Sequence, residues 1–112
     1  MLPEQGHLLR IFIGEADKHD GIPLYEWILQ EAKKRGLAGG TAIRGLQGFG
    51  ANSRIHSSKI LSLSAELPVV VEIVDELTKI EDFIPTVDAV VEEGLATVEK
   101  VHIRFYRHRE KA

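Results

Sequence analysis

The order of strand-like and helix-like segments in this 112-residue chain predicts an α+β fold, an antiparallel sheet with two helices on one face. Three observations carry that expectation. Short aliphatic runs and two longer amphipathic stretches alternate in the order β-α-β-β-α-β. The aliphatic runs are too short for helices and are bounded by glycine, proline or polar turns. Each helix-like stretch carries one apolar stripe, so each covers a sheet from one side. That order is the split-βαβ, ferredoxin-like sandwich.

The first strand is "HLLRIFIG", residues 7–14, a run of large aliphatic and aromatic side chains closed by Gly14. The turn "EADKHDG" follows, and its acids Glu15, Asp17 and Asp20 are expected to cap the next helix and to be solvated. Pro23 stands where proline is tolerated, in the first helical turn. Leu24, Trp27, Ile28 and Ala32 then recur at i, i+3, i+4 and i+8 as one apolar stripe. Lys33, Lys34 and Arg35 complement the negative end of the helix, and Gly36 can supply a left-handed cap.

"TAIRGLQGF" reads as a second strand whose internal glycines mark a bulge or a close approach. "SKILSLS" alternates as a half-buried strand, and "LPVVVEIVD" is the most strand-like segment, with Pro68 at its start. In "TKIEDFIPTVDAVVEEG", Ile80, Phe83, Ile84, Val87 and Val91 form the second helical stripe. Pro85 predicts a kink, and Gly94 the end of the helix. "LATVEKVHIRFY" closes the fold as a strand with Val101, Ile103 and Phe105 on one face and His102, Arg104 and Tyr106 on the other. Leu61, Leu63, Val70 and Val74 put apolar material on both sheet faces, so a symmetric oligomer is expected to bury the second.

Bulk composition narrows the function. A chain of 112 residues, 44% hydrophobic and 28% charged, suits one soluble domain over residues 1–112, with its core at about 8–105. A net charge of −3 argues against a nucleic-acid partner, which requires a basic face. The basic end, Arg104, Arg107, His108, Arg109 and Lys111, reads as a solvated tail from 107 to 112. The absence of cysteine removes disulfides and thiol chemistry; with no signal sequence and no apolar run near ~20 residues, a cytoplasmic location is expected.

The stretch "RGLQGFGANSRIH", residues 44–56, holds the densest chemistry. It is neither a dinucleotide fingerprint nor a Walker loop, and by motif alone a mobile connection explains it. Its company points elsewhere: Arg44, Arg54, His56 and Lys59 are donors for phosphate or carboxylate, and Gly45, Gly48 and Gly50 leave amides for an anion nest. No two of the five histidines are spaced i, i+3 or i+4, so a metal site within one element is not expected. The serines near His56 have no positioned third member, and no nucleophile–base pair assembles, so no enzyme is expected.

Taken together, "RGLAGGTAIRGLQGFG" resembles the segment of PII-type nitrogen-regulatory signal-transduction proteins from the end of the first helix through the second strand. Gly36, Leu37, Gly39 and Thr41, then Gly48, Phe49 and Gly50, stand as counterparts of that pattern, with one extra residue between the halves. The chain is identified as a member of the PII-like family of bacterial and archaeal proteins through "LRIFIGE", "PLYE", "GLAGGT", "GFGANSRIH", "LPVVVEIVD" and "KIEDFIP", across about residues 8–105.

The resemblance implies a ferredoxin-like homotrimer with adenine-nucleotide sites in the clefts between subunits. It also implies a mobile loop, at about 50–58, that touches a partner such as a membrane transporter or ion channel. It places Gly39 and Thr41 against base or ribose, Gly48, Phe49 and Gly50 at the loop root near phosphate, and Arg104 near phosphate across an interface. Phosphate roles for Arg44, Arg54 and His56 extend that pattern. The resemblance implies no permanently bound cofactor. Before the last strand this chain has only the short acidic "EEGLATVEK" where PII-type proteins grip outer phosphates with glycine and lysine. A mono- or diphosphate such as AMP or ADP, or another small anion, therefore fits better than a triphosphate. The tyrosine that some family members have modified in this loop is missing too. The alternative within the same fold is a divalent-metal trimer like the copper-tolerance proteins, using His56, Glu72 or the acidic turn.

Overall fold

The computed structural model describes residues 3–50, 56–57 and 67–109. In chain order its elements are β1 Gln5–Gly14, β2 Lys18–His19, β3 Ile22–Pro23, α1 Leu24–Lys34, β4 Gly39–Arg44, β5 Gln47–Gly48, β6 His56–Ser57, β7 Pro68–Asp75, α2 Leu77–Val90 and β8 Leu95–His102. Four of them form one antiparallel sheet in the order β4-β7-β1-β8. That is the strand order of the ferredoxin-like sandwich, with the first and third main strands in the centre.

Alternation decides which face is covered. In β1, Leu9, Ile11 and Ile13, and in β7, Val69, Val71 and Ile73, are buried against Leu24, Ile28 and Ala32 of α1 and Ile80, Phe83 and Val87 of α2. The intervening residues, including Arg10, Phe12, Val70, Glu72 and Val74, are only half-buried on the open face. Burying each core side chain contributes roughly 1.5–3 kcal/mol. No helix among the described residues is long and apolar enough to cross a membrane.

Local chemistry explains the element ends, and several differ from expectation. Asp20 and Gly21 hold positive φ, 53° and 80°, in a two-residue hairpin between β2 and β3, the geometry a right-twisted ribbon favours. Pro23 is the residue before α1 rather than inside its first turn; at ψ 135° its backbone is extended and pairs with β2. The acidic turn does not cap α1 through its carboxylates: Asp17 Oδ2 accepts the Gly14 N–H at 2.9 Å, while its backbone carbonyl takes the Leu24 N–H at 2.7 Å. Helix α1 ends as expected at Gly36, φ 79°, whose N–H bonds the Lys33 carbonyl while Leu37 N–H bonds that of Ala32. Trp27 is only partly buried and meets His19 edge-to-face at 4.7 Å.

The second strand breaks after Arg44, where Gly45 N–H turns to the Pro68 carbonyl at 2.7 Å. Gly48 resumes pairing opposite His56. The expected strand at 58–64, with its Leu61 and Leu63, lies outside the described residues, as do residues 51–55 and 58 of the expected mobile loop and residues 110–112. Helix α2 contains Pro85 and stops at Val90, four residues short of Gly94, because Val91 is already extended at φ −92°, ψ 109°. Gly94 is a close-approach residue: a Cβ there would lie 2.6 Å from the Phe12 carbonyl oxygen and 2.9 Å from a Val91 methyl. The last strand also ends early, at His102, so Ile103 to Tyr106 do not continue its alternation.

One buried charge ties the end of the sheet together. Asp75, 2% exposed, accepts the Ala38 N–H at 2.9 Å and the Glu76 N–H at 2.7 Å. It thereby fixes the start of β4 to the junction of β7 and α2.

Two stability outcomes follow from these contacts. Asp75→Ala leaves two backbone donors without their carboxylate and is expected to cost about 2–3 kcal/mol in urea denaturation, with Asp75→Asn costing less. Gly94→Ala is expected to cost about 1–3 kcal/mol by the same measurement, since the new methyl meets backbone; an unchanged midpoint would contradict the packing described.

Candidate functional site

The open face of the sheet carries a polar row flanked by two mostly apolar ones. Register places Thr41, Glu72, Arg10 and Thr97 side by side across the four strands. Arg10 Nε lies 3.0 Å from Glu72 Oε2, and its Nη1 lies 2.9 Å from Glu99 Oε1. One guanidinium therefore links β7, β1 and β8. Toward the loop end the neighbouring row is Ile43, Val70, Phe12 and Leu95; toward the other end it is Gly39, Val74, Leu8 and Glu99.

Beyond His102 the chain leaves the sheet and crosses this face. Ile103 N–H donates to the Glu4 carbonyl at 2.7 Å, and His102 Nε2 lies 3.1 Å from Glu4 Oε1. At the far side the Tyr106 hydroxyl donates to the Ala38 carbonyl at 2.6 Å. The strap Ile103–Tyr106 thus spans from the edge of β1 to the start of β4, and beneath it lies a cavity of about 480 Å³. Leu8, Val74 and Val101 form apolar walls; Thr41 and Glu72 supply polar ones. Arg104 stands in the strap and lines the same space, and among the described residues it has no ion-pair partner. Its size is that of a small-molecule site, with few convergent polar groups in apolar surroundings.

The sequence-derived site residues fall into two groups. Gly39, Thr41 and Arg104 line this cavity. Arg44 stands at the other end of β4, about 17 Å from Gly39 along an extended strand, and Gly48, Phe49 and Gly50 follow beyond the break. There Arg44 is paired with the Glu15 carboxylate, and Phe49 is 73% exposed. His56 is described only through its backbone pairing with Gly48, and Arg54 lies outside the described residues. A single chain does not bring these two groups together.

Two cavity residues were not placed at the nucleotide site by sequence reasoning. Glu72 entered only as a candidate metal ligand, although a charge in the middle of an aliphatic strand is costly unless partnered or used. Tyr106 carried no signal, because continued alternation placed it on a strand face.

Comparison with known proteins agrees with this architecture. Residues 6–103 match the DUF190 family, "Uncharacterized ACR". A UPF0166 protein of Aquifex aeolicus is 42% identical over 98 residues, covering 88% of this chain and 92% of that protein. A UPF0166 protein of Methanocaldococcus jannaschii is 31% identical over 97 residues, covering 86% and 89%. Among solved structures, CPII, a nitrogen regulatory PII-like protein from Thiomonas intermedia K12 bound to ADP, AMP and bicarbonate, superposes with a TM-score of 0.60 at 16% identity over 88% of each chain. A second CPII structure, bound to ADP and bicarbonate, gives a TM-score of 0.53 at 17% identity over 88% of each chain. With its fold, strand order and family match in agreement, the chain belongs to the DUF190 family and carries the PII-like, ferredoxin-like fold.

Proposed function

We propose that this chain is a cytoplasmic PII-like regulatory protein. As a homotrimer it binds an adenine mono- or diphosphate at inter-subunit clefts and acts on a partner, a membrane transporter or ion channel, through the loop at 50–58. It performs no catalysis itself. The observation that carries this reading is the cavity under the strap, where an arginine without a carboxylate partner among the described residues faces apolar walls and two polar side chains. The ADP and AMP bound by CPII, which shares the fold, support the ligand class.

The chemistry divides along the cavity. Leu8, Val74 and Val101 offer an apolar surface to a base. Glu72 Oε2 is held by Arg10, which leaves Oε1 to accept a ribose hydroxyl, and Thr41 adds a donor beside it. Arg104 offers a planar fork to a phosphate. One such cation suits one or two phosphates better than three. Gly39 allows close approach from the strand side: nothing lies within 4 Å of where its Cβ would be.

The loop-root group joins this site through assembly. In the trimer, Gly48, Phe49 and Gly50 stand beside the cleft and Arg44 exchanges Glu15 for phosphate. An exposed pair of that kind contributes about 0–1 kcal/mol, so the exchange costs little. Arg54 and His56 then report occupancy through the order of the loop, and the ligand acts by favouring one loop state. No observation among the described residues favours the metal-handling alternative, and the side chain of His56 lies outside them.

Calorimetric titration with AMP, ADP, ATP and inorganic phosphate tests the reading. AMP or ADP is expected to bind, ATP no more tightly, and phosphate alone more weakly. Ligand at about 100 times Kd should stabilise the fold by about 2.7 kcal/mol. Arg104→Ala should weaken AMP binding about 10- to 150-fold, the loss of a charge-assisted hydrogen bond, with the unliganded stability unchanged within about 0.5 kcal/mol. Absence of binding and of thermal stabilisation by every adenine nucleotide would overturn it.

A further inference from the structure

We propose that the segment Ile103–Tyr106 is a hinged strap closed by one latch, the hydrogen bond from the Tyr106 hydroxyl to the Ala38 carbonyl, and that closing this latch is what sets Arg104 over the cavity. The ligand assigned to Arg104 rests on the function proposed above; the latch itself rests on geometry alone.

The strap is anchored at two points. Its first anchor is rigid: Ile103 N–H bonds the Glu4 carbonyl at 2.7 Å, directly beyond the last paired residues of β8. Its second anchor is the Tyr106–Ala38 bond at 2.6 Å. Between them no residue of the strap belongs to a strand or helix, so the backbone there lacks the cooperative support of the sheet. Within its own chain Tyr106 is 58% exposed and Phe105 69%, so little intrachain apolar burial holds the strap down. One neutral hydrogen bond contributes only a few-fold to an equilibrium, so its loss shifts the balance of closed and open states by about 3- to 10-fold. The receptor side of the latch is preset, because Ala38 is fixed by its own N–H donating to the buried Asp75 carboxylate.

Arg104 lies between the anchors, so its position over the cavity depends on both. Its neighbour Arg107, just past the latch, packs over the Phe105 ring at 4.4 Å and is held outside. A phosphate drawn to Arg104 therefore favours the closed strap, and a closed strap favours the phosphate. Tyr106 acts as a positioning residue: it does not need to touch the ligand to set its affinity.

Tyr106→Phe removes the latch hydroxyl and keeps the ring. Two readouts decide the proposal: trypsin cleavage after Arg104 in the intact protein, with and without AMP, and AMP affinity by calorimetry. In the absence of ligand, the variant is expected to be cut about 3- to 10-fold faster after Arg104, with general thermal stability unchanged. Saturating AMP should slow that cleavage in the unaltered protein, and the variant should bind AMP about 3- to 10-fold more weakly. Equal cleavage rates of the two unliganded proteins would overturn the latch. Equal AMP affinities would overturn its coupling to the ligand. If AMP fails to bind the unaltered protein, the function reading falls, and the unliganded cleavage rates still decide the strap.

Discussion

The buried carboxylate of Asp75 is the constraint on which the rest of this end of the molecule depends. A charge that deep is tolerated because two backbone N–H groups, of Ala38 and Glu76, are aimed at it. In return it fixes where β4 begins, and with it the backbone carbonyl of Ala38 that receives Tyr106. Gly39, Thr41 and the strap that carries Arg104 are thus positioned from one point of the core. A site built on such an anchor inherits the stiffness of the sheet on one side and the looseness of an unpaired strap on the other.

The open face has a comparable centre in Arg10. Its two carboxylate partners, Glu72 and Glu99, come from the strands on either side, so the polar row is crosslinked across three strands. These pairs are partly exposed, and their worth lies more in register and orientation than in stability. They fix the Glu72 carboxylate at the cavity wall while leaving one oxygen to accept. The apolar rows flanking the centre, with Ile43 47% and Leu95 59% exposed, leave surface that a single chain does not cover.

Much of the fold was legible because it rests on local or periodic rules. The alternation in "LPVVVEIVD" sorts Val69, Val71 and Ile73 from Val70, Glu72 and Val74, and the structure buries the first set. The stripe Leu24, Ile28 and Ala32 with Gly36 after it specifies α1 and its cap. What failed to be legible depends on contacts distant in sequence. Helix α2 looks continuous to Gly94, yet that glycine is reserved for the Phe12 carbonyl on another element. The final strand looks continuous to Tyr106, yet Glu4 takes the Ile103 N–H and the Ala38 carbonyl takes the Tyr106 hydroxyl. The residues around the cavity were legible in part. Motif resemblance brought forward Gly39, Thr41 and Arg104, which line it, while the distance from Gly39 to Arg44 along β4, and to Gly48 beyond, appears only once the strand is built.

The proposed function places the ligand at the Gly39–Thr41 end of β4, under the strap. Backbone amide NMR of the isotope-labelled protein titrated with AMP addresses this most directly. The largest shift changes are expected on Gly39, Gly40 and Thr41 and on Ile103 to Tyr106, with smaller changes at Arg44 and Gly48 to Gly50. Changes confined to the loop root, with Gly39 to Thr41 and the strap unmoved at saturation, would contradict it.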